Sequence, residues 1–227
     1  MIKVYDNVLT PEELKNFVSD INSFAGKIVC PHTDDLLDAT WRDDTLNELR
    51  PNSQCMKGTY TGTKLNKQKF KNSEKVKETL ESRIHEKGHL QQWITKKHFP
   101  KSLSKLASMY PCDFAGFEWW CYDSLNFGGH GLAIARHIDC DAALLMLSGT
   151  VVYPDYTFLF YDDVDEDLQG GDCVFYDEND KEMKRIKPVA NRLVVFSGGL
   201  PHAVETFSGN RRSYVFLAWK NRPREFM

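Results

Sequence analysis

The chain has 227 residues, 41% of them hydrophobic and 27% charged, with 29 Lys and Arg against 32 Asp and Glu for a formal net charge of −3. Such a composition fits an ordinary globular protein and excludes collagen-like, low-complexity and disordered chains. The longest apolar runs, such as Ala142 to Leu147, fall far short of the ~20 residues that span a bilayer, so no membrane partner is expected. The N-terminus shows neither an n-region nor an h-region, which makes the cytoplasm the expected compartment.

A short strand opens the chain and an amphipathic helix follows it. Thr10 is placed to cap that helix, Pro11 suits its first position, and Glu13 completes a T-x-x-E capping box. Leu14, Phe17, Val18, Ile21 and Phe24 recur at helical spacing, and Gly26 is a stop signal. Residues Lys27 to Gly62 are polar and irregular. A second helix is expected from about Ser73 to Thr95, with Val76, Leu80 and Ile84 on its apolar face, and a shorter third one after Pro100.

From Ala115 to Lys220 the pattern changes to short β-type runs broken by Gly, Asp, Asn and Pro. These are Phe117 to Tyr122, Leu132 to Asp139, Thr157 to Asp162, Cys173 to Tyr176, Arg192 to Phe196 and Ser213 to Trp219. Strands at this spacing predict an antiparallel sandwich or barrel. The expected class is α+β, mainly β, in one domain over 1–227. Within it, 1–112 form a helical and irregular supporting region and 113–222 the β core. The six cysteines, Cys30, Cys55, Cys112, Cys121, Cys140 and Cys173, include no C-x-x-C pair and read as reduced thiols.

One short segment carries chemistry. In a strand, residues two apart share a face, so His137 and Asp139 would point together while Ile138 points away. His202, beside a later predicted strand, is a third candidate. Two imidazoles and one carboxylate on one side of an ion leave the opposite positions open, the arrangement of non-haem Fe(II) oxygenases. Arg211 follows His202 by nine residues and would share a face with Ser213, Val215, Leu217 and Trp219. An inward guanidinium beside such a site calls for a carboxylate partner, which its planar fork matches in bidentate fashion.

His137-x-Asp139, Gly170-Gly171-Asp172, Pro188 to Phe196, His202-Ala203-Val204 and Gly209-Asn210-Arg211-Arg212-Ser213 together resemble the 2-oxoglutarate/Fe(II)-dependent dioxygenases, in particular the prolyl 4-hydroxylase-like branch. The opening Val4-Tyr5-Asp6-Asn7-Val8-Leu9-Thr10-Pro11-Glu12-Glu13 also resembles that branch. The resemblance implies a double-stranded β-helix (jelly roll) with N-terminal supporting helices. It implies His137, Asp139 and His202 as catalytic iron ligands and Arg211 as the partner of the distal 2-oxoglutarate carboxylate. Arg212 is the rival for that role; Ser213, and Tyr122 or Tyr161, would complete the co-substrate contacts. Fe(II), 2-oxoglutarate and dioxygen are the implied cofactor and co-substrates, with ascorbate as an optional reductant. The implied reaction hydroxylates an aliphatic carbon and releases succinate and carbon dioxide. A peptidyl proline is the leading substrate, so a peptide or protein is the expected partner. The alternatives are a nucleic acid, a free amino acid, or a jelly-roll module that binds without turnover.

Other signals compete. His85-Glu86-Lys87-Gly88-His89 spells the zinc-protease helix motif, but both histidines fall off the centre of the Val76, Leu80, Ile84 stripe and Gly88 weakens the helix. A surface pair is the expectation there. Charge is unevenly spread: Lys57 to Lys105 hold thirteen basic against four acidic residues, +9, and Asp155 to Glu182 hold eleven acidic against one basic, −10. The basic stretch could attract a polyanion. Nucleic-acid demethylases of the superfamily, however, usually carry Arg-x-Asn-x-x-x-Arg, which the run Arg211 to Leu217 lacks.

Overall fold

The structure is a computed structural model, described here over residues 1–24, 92–96, 99, 101–110, 113–123, 130–131, 134–141, 144–145 and 148–223. Strand β1 (Ile2–Asp6) and helix α1 (Pro11–Phe24) come first. Next are β2 (Gln92–Thr95), α2 (Lys101–Ala107) and β3 (Gly116–Asp123). The short β4 (His130–Gly131) and β5 (Ile134–His137) lead to the long β6 (Tyr156–Val164). Then follow β7 (Gln169–Gly170), β8 (Cys173–Tyr176), β9 (Glu182–Ile186) and β10 (Arg192–Ser197). The last three strands are β11 (His202–Val204), β12 (Phe207–Ser208) and β13 (Arg211–Trp219).

The strands form a six-stranded sheet, β1-β10-β6-β13-β3-β2, a four-stranded sheet, β5-β11-β8-β9, and a three-stranded one, β4-β12-β7. Every pairing is antiparallel. The fold is therefore mainly β, a jelly roll with helices against its larger sheet.

Alternation along β6 explains the layering, because successive side chains leave opposite faces of a strand. Phe158 and Phe160 face the helices, in a core with Phe17, Leu103 and Phe216. Leu159 and Tyr161 face the opposite way, against Phe175, Val194 and Phe196 between the two larger sheets. Helix α1 is seated by Phe17, whose ring meets Phe160 and Tyr214 edge-on at 5.0 Å each. Its start is the expected capping box: the Glu13 amide donates to Thr10 Oγ1 (3.2 Å), and the Thr10 amide donates to Glu13 Oε2 (2.8 Å).

One expectation needs correction. Gln92 to Thr95, assigned to the end of the second helix, form β2, paired with β3. The rest of that helix, Gly26, the Lys27 to Gly62 stretch and the His85–His89 motif lie outside the described residues. The acidic stretch takes basic partners from outside itself. Asp162 pairs with Arg212, Asp172 and Glu182 with Arg185, and Asp180 with Arg136. Among the described residues no helix is long and apolar enough to cross a membrane. Cys121, Cys140 and Cys173 are free thiols, and only Cys173 is fully buried.

Candidate metal and anion site

Three elements bring the metal-type side chains together. His137 is the last residue of β5, and β11 pairs His202 directly opposite it. Asp139 lies two residues beyond the end of β5, outside the ladder, yet turns to the same side. One ligand atom from each of the three falls within 4.8 Å of the other two. The imidazole centroids are 4.2 Å apart, with the rings tilted by 52°.

Hydrogen bonds fix which nitrogen of each ring is available. His137 Nδ1 donates to the Ala135 carbonyl (2.9 Å) and His202 Nδ1 to the Leu200 carbonyl (3.0 Å). A carbonyl can only accept, so each Nδ1 carries a proton and Nε2 is the nitrogen turned to the site. Those Nε2 atoms face the carboxylate, His137 at 3.6 Å from Asp139 Oδ1 and His202 at 3.8 Å from Oδ2. Phe196 packs edge-on against the His202 ring at 4.8 Å.

The electrostatics suit a cation. Burial, and then the neighbouring His137, push the His202 imidazole down to about 4, with Asp139 opposing. His202 is therefore neutral, the form that ligates. Burial works against ionisation of Asp139, but His202, His137 and the Thr157 hydroxyl together outweigh it and hold the carboxyl below its ordinary range. One carboxylate and two imidazoles make a donor set suited to a divalent first-row metal, with open positions left over.

Farther along the same interior lies Arg211, 4% exposed. Its Nη1 donates to the Gly171 carbonyl at 2.8 Å. Three rings surround the guanidinium carbon: Phe207 at 4.2 Å, Tyr161 at 5.6 Å and Tyr122 at 5.8 Å. Ser213 is buried and pairs in register with Tyr122 on β3 and Tyr161 on β6. Among the described residues the buried Tyr161 hydroxyl has no hydrogen-bond partner, and burial raises its pKa, so it is a neutral phenol. A buried hydroxyl of this kind beside an enclosed guanidinium suits a ligand carboxylate.

Arg212 is differently placed. Its guanidinium grips Asp162 with Nε and Nη2, at 2.6–3.0 Å. Arg211, Ser213, Tyr122 and Tyr161 are thus assembled together, and Arg212 is engaged elsewhere. Sequence reasoning missed Thr157, the Gly171 carbonyl and the Phe207 ring. Thr157 could have been found by counting in twos from Tyr161 along a predicted strand. The Gly171 carbonyl and Phe207 carry no such signal, because one is a backbone group and the other sits in a two-residue strand too short to show a pattern.

Trp119 is buried on the helix side, whereas its neighbour Trp120 is half-buried against Trp93, Leu217 and Trp219. The backbone of His130 is in β4, paired with Ser208.

Residues 121–220 match the family model of the 2OG-Fe(II) oxygenase superfamily. Similar solved structures include a prolyl-4-hydroxylase from Pseudomonas putida, at 19% identity and a TM-score of 0.42, covering 66% of this chain and 81% of that one. Another is a Trichoplax adhaerens prolyl hydroxylase in complex with a hypoxia inducible factor oxygen degradation domain peptide fragment. It is 16% identical with a TM-score of 0.42, covering 96% of this chain and 83% of that one. No curated relative matches the chain.

Proposed function

We propose that the protein hydroxylates an aliphatic carbon of a peptide or protein, with a prolyl residue as the leading target. The observation that carries the reading is the convergence of His137, Asp139 and His202, with both Nδ1 atoms tied to backbone carbonyls and both Nε2 atoms facing the carboxylate. Those three residues would hold Fe(II). Arg211 would bind the distal carboxylate of 2-oxoglutarate, with Tyr161 donating its phenol and Tyr122 and Ser213 closing the sides.

Bound together, Fe(II) and 2-oxoglutarate supply oxidative decarboxylation, which uses dioxygen to hydroxylate a C–H bond and yields succinate and carbon dioxide. The chain itself provides geometry and enclosure. Thr157 at the metal end and Tyr161 at the anion end lie on one face of β6, four residues and therefore about 13 Å apart. That strand sets the separation of the two subsites. Phe207, Tyr122 and Tyr161 exclude water from Arg211, which strengthens its attraction for a carboxylate. The peptide preference rests on the motif order of the prolyl 4-hydroxylase-like branch and on the missing Arg-x-Asn-x-x-x-Arg pattern.

The test has two parts. Anaerobic Fe(II) with 2-oxoglutarate should give a visible charge-transfer band, and aerobic incubation should yield succinate; His137→Ala should abolish both. Mass spectrometry on a panel of prolyl peptides, nucleic acids and free amino acids should find one added oxygen on a peptide. An added oxygen confined to nucleotides or free amino acids would overturn the peptide reading. Binding with no turnover on any substrate would leave the protein as a binding module.

A further inference from the structure

His137 and His202 are each oriented twice, by a place in a strand ladder and by a bond from Nδ1 to a carbonyl. Asp139 has no ladder position of its own, because β5 ends at His137. A carboxylate outside a ladder is free to rotate about its last bond and to offer one oxygen or both. What restrains it is Thr157, whose Oγ1 donates to Asp139 Oδ2 at 2.7 Å in a fully buried contact. Thr157 is itself enclosed: 1% exposed, on the interior strand β6, in register with Phe196 on one side and Leu217 on the other. A β-branched side chain in a strand also has few χ1 choices.

We infer that Thr157 is a positioning residue that restricts Asp139 to ligation through Oδ1. The hydroxyl occupies a lone pair of Oδ2, the oxygen 3.8 Å from His202 Nε2, whereas Oδ1, 3.6 Å from His137 Nε2, takes no bond from Thr157 and is the oxygen freer to ligate. One-oxygen ligation keeps a coordination position open that a chelating carboxylate would fill, and that position is needed for a bidentate co-substrate together with dioxygen. Hydrogen-bonded partners of this kind orient metal ligands, and their removal typically weakens metal binding about 10- to 100-fold. The inference rests on the iron reading proposed above.

The test uses the full chain and two variants, Thr157→Val, which keeps the shape and deletes the donor, and Thr157→Ser, which restores the donor. Calorimetric titration with Mn(II) gives the metal Kd, the visible absorption of the Co(II) protein reports coordination number through its intensity, and thermal unfolding of the metal-free proteins checks the fold. The expected result for Thr157→Val is a Mn(II) Kd raised about tenfold or more, with weaker Co(II) absorption from added coordination. Thr157→Ser should recover both wild-type values. Wild-type Kd and spectrum in Thr157→Val would overturn the inference while leaving the iron reading intact. So would a loss of metal binding that Thr157→Ser fails to recover. If the wild-type chain binds neither metal, the iron reading fails and this inference fails with it.

Discussion

Replacing Arg211 by Met keeps an unbranched chain of similar length in the pocket and deletes the fork. The side chain is buried, bonded through Nη1 to Gly171 and enclosed by three rings. Truncating one partner of a buried, hydrogen-bonded charge pair costs about 2–5 kcal/mol. At about 1.4 kcal/mol per factor of ten, the 2-oxoglutarate Kd should rise roughly 30- to 4,000-fold. The metal site lies at the other end of the strand that carries Tyr161, so Mn(II) binding should be retained. Arg211→Lys keeps the charge but loses the planar fork, and should fall between wild type and Arg211→Met. Arg212→Met is the control: it strips Asp162 of its partner and lowers stability, but should leave 2-oxoglutarate binding unchanged. The measurement is an anaerobic titration of the Fe(II) protein with 2-oxoglutarate, followed in the visible band. A normal Kd in folded Arg211→Met, or a raised Kd in Arg212→Met alone, would refute the assignment of the anion site to Arg211.

Three further outcomes are expected. Gly171 has φ +79°, and a Cβ there would sit 3.1 Å from Arg211 Nη1 and 3.2 Å from Phe207 Cβ. Gly171→Ala should therefore raise the KM for 2-oxoglutarate by displacing the guanidinium, with a smaller effect on metal Kd. In metal-free protein, His202 takes a proton in the unfolded chain near 6.5 but in the folded one only near 4. The unfolded state thus holds the extra proton between those values, and stability must fall as pH drops from 6.5 toward 4, by roughly 3 kcal/mol in all. Urea midpoints across that range should show the fall, His202→Gln should flatten it, and a flat wild-type profile would contradict the buried neutral imidazole. Phe17, fully buried between α1 and the large sheet, should cost about 3–5 kcal/mol when cut to Ala. Chemical denaturation would show this, with Mn(II) affinity unchanged in the folded fraction.

Much of the β core was legible because its strands announce themselves by apolar runs. Cys173 to Tyr176 and Arg192 to Phe196 match β8 and β10 to within a residue, since both strands are mostly buried and rich in Val, Leu and Phe. Strand β9 escaped notice for the opposite reason. Its Glu-Met-Lys-Arg-Ile is exposed at every position but the last, as befits the edge of the four-stranded sheet, and it reads as a polar loop. Strand β2 was lost to an expected helix because its four residues have no alternation to detect: Trp93 and Ile94 are adjacent and both buried, one on each face. The His-x-Asp pair was found by strand parity, although Asp139 proves to lie past the strand's end.

The choice between Arg211 and Arg212 shows what strand parity can and cannot decide. Along β13 the alternation is regular against β3, so Arg211 and Ser213 share the inner face and Arg212 takes the other. Parity alone says which arginine points inward, but not why an outward arginine should sit beside the fold's own carboxylate. The reason is a bulge in the neighbouring strand. Ser213 pairs with Tyr161 while Arg212 pairs with Asp163, so Asp162 is the extra residue of β6. A bulge re-aims the side chain it inserts, and here it brings Asp162 to Arg212, with contacts as short as 2.6 Å. The same insertion lets Tyr161 stay inward beside Arg211 although β6 continues past it in a new register. Without the extra residue, the partner of Arg212 would move along β6 and every inward position beyond it would change face. Asp162 therefore engages the outward guanidinium, while Arg211 is the inward member of the Arg-Arg pair.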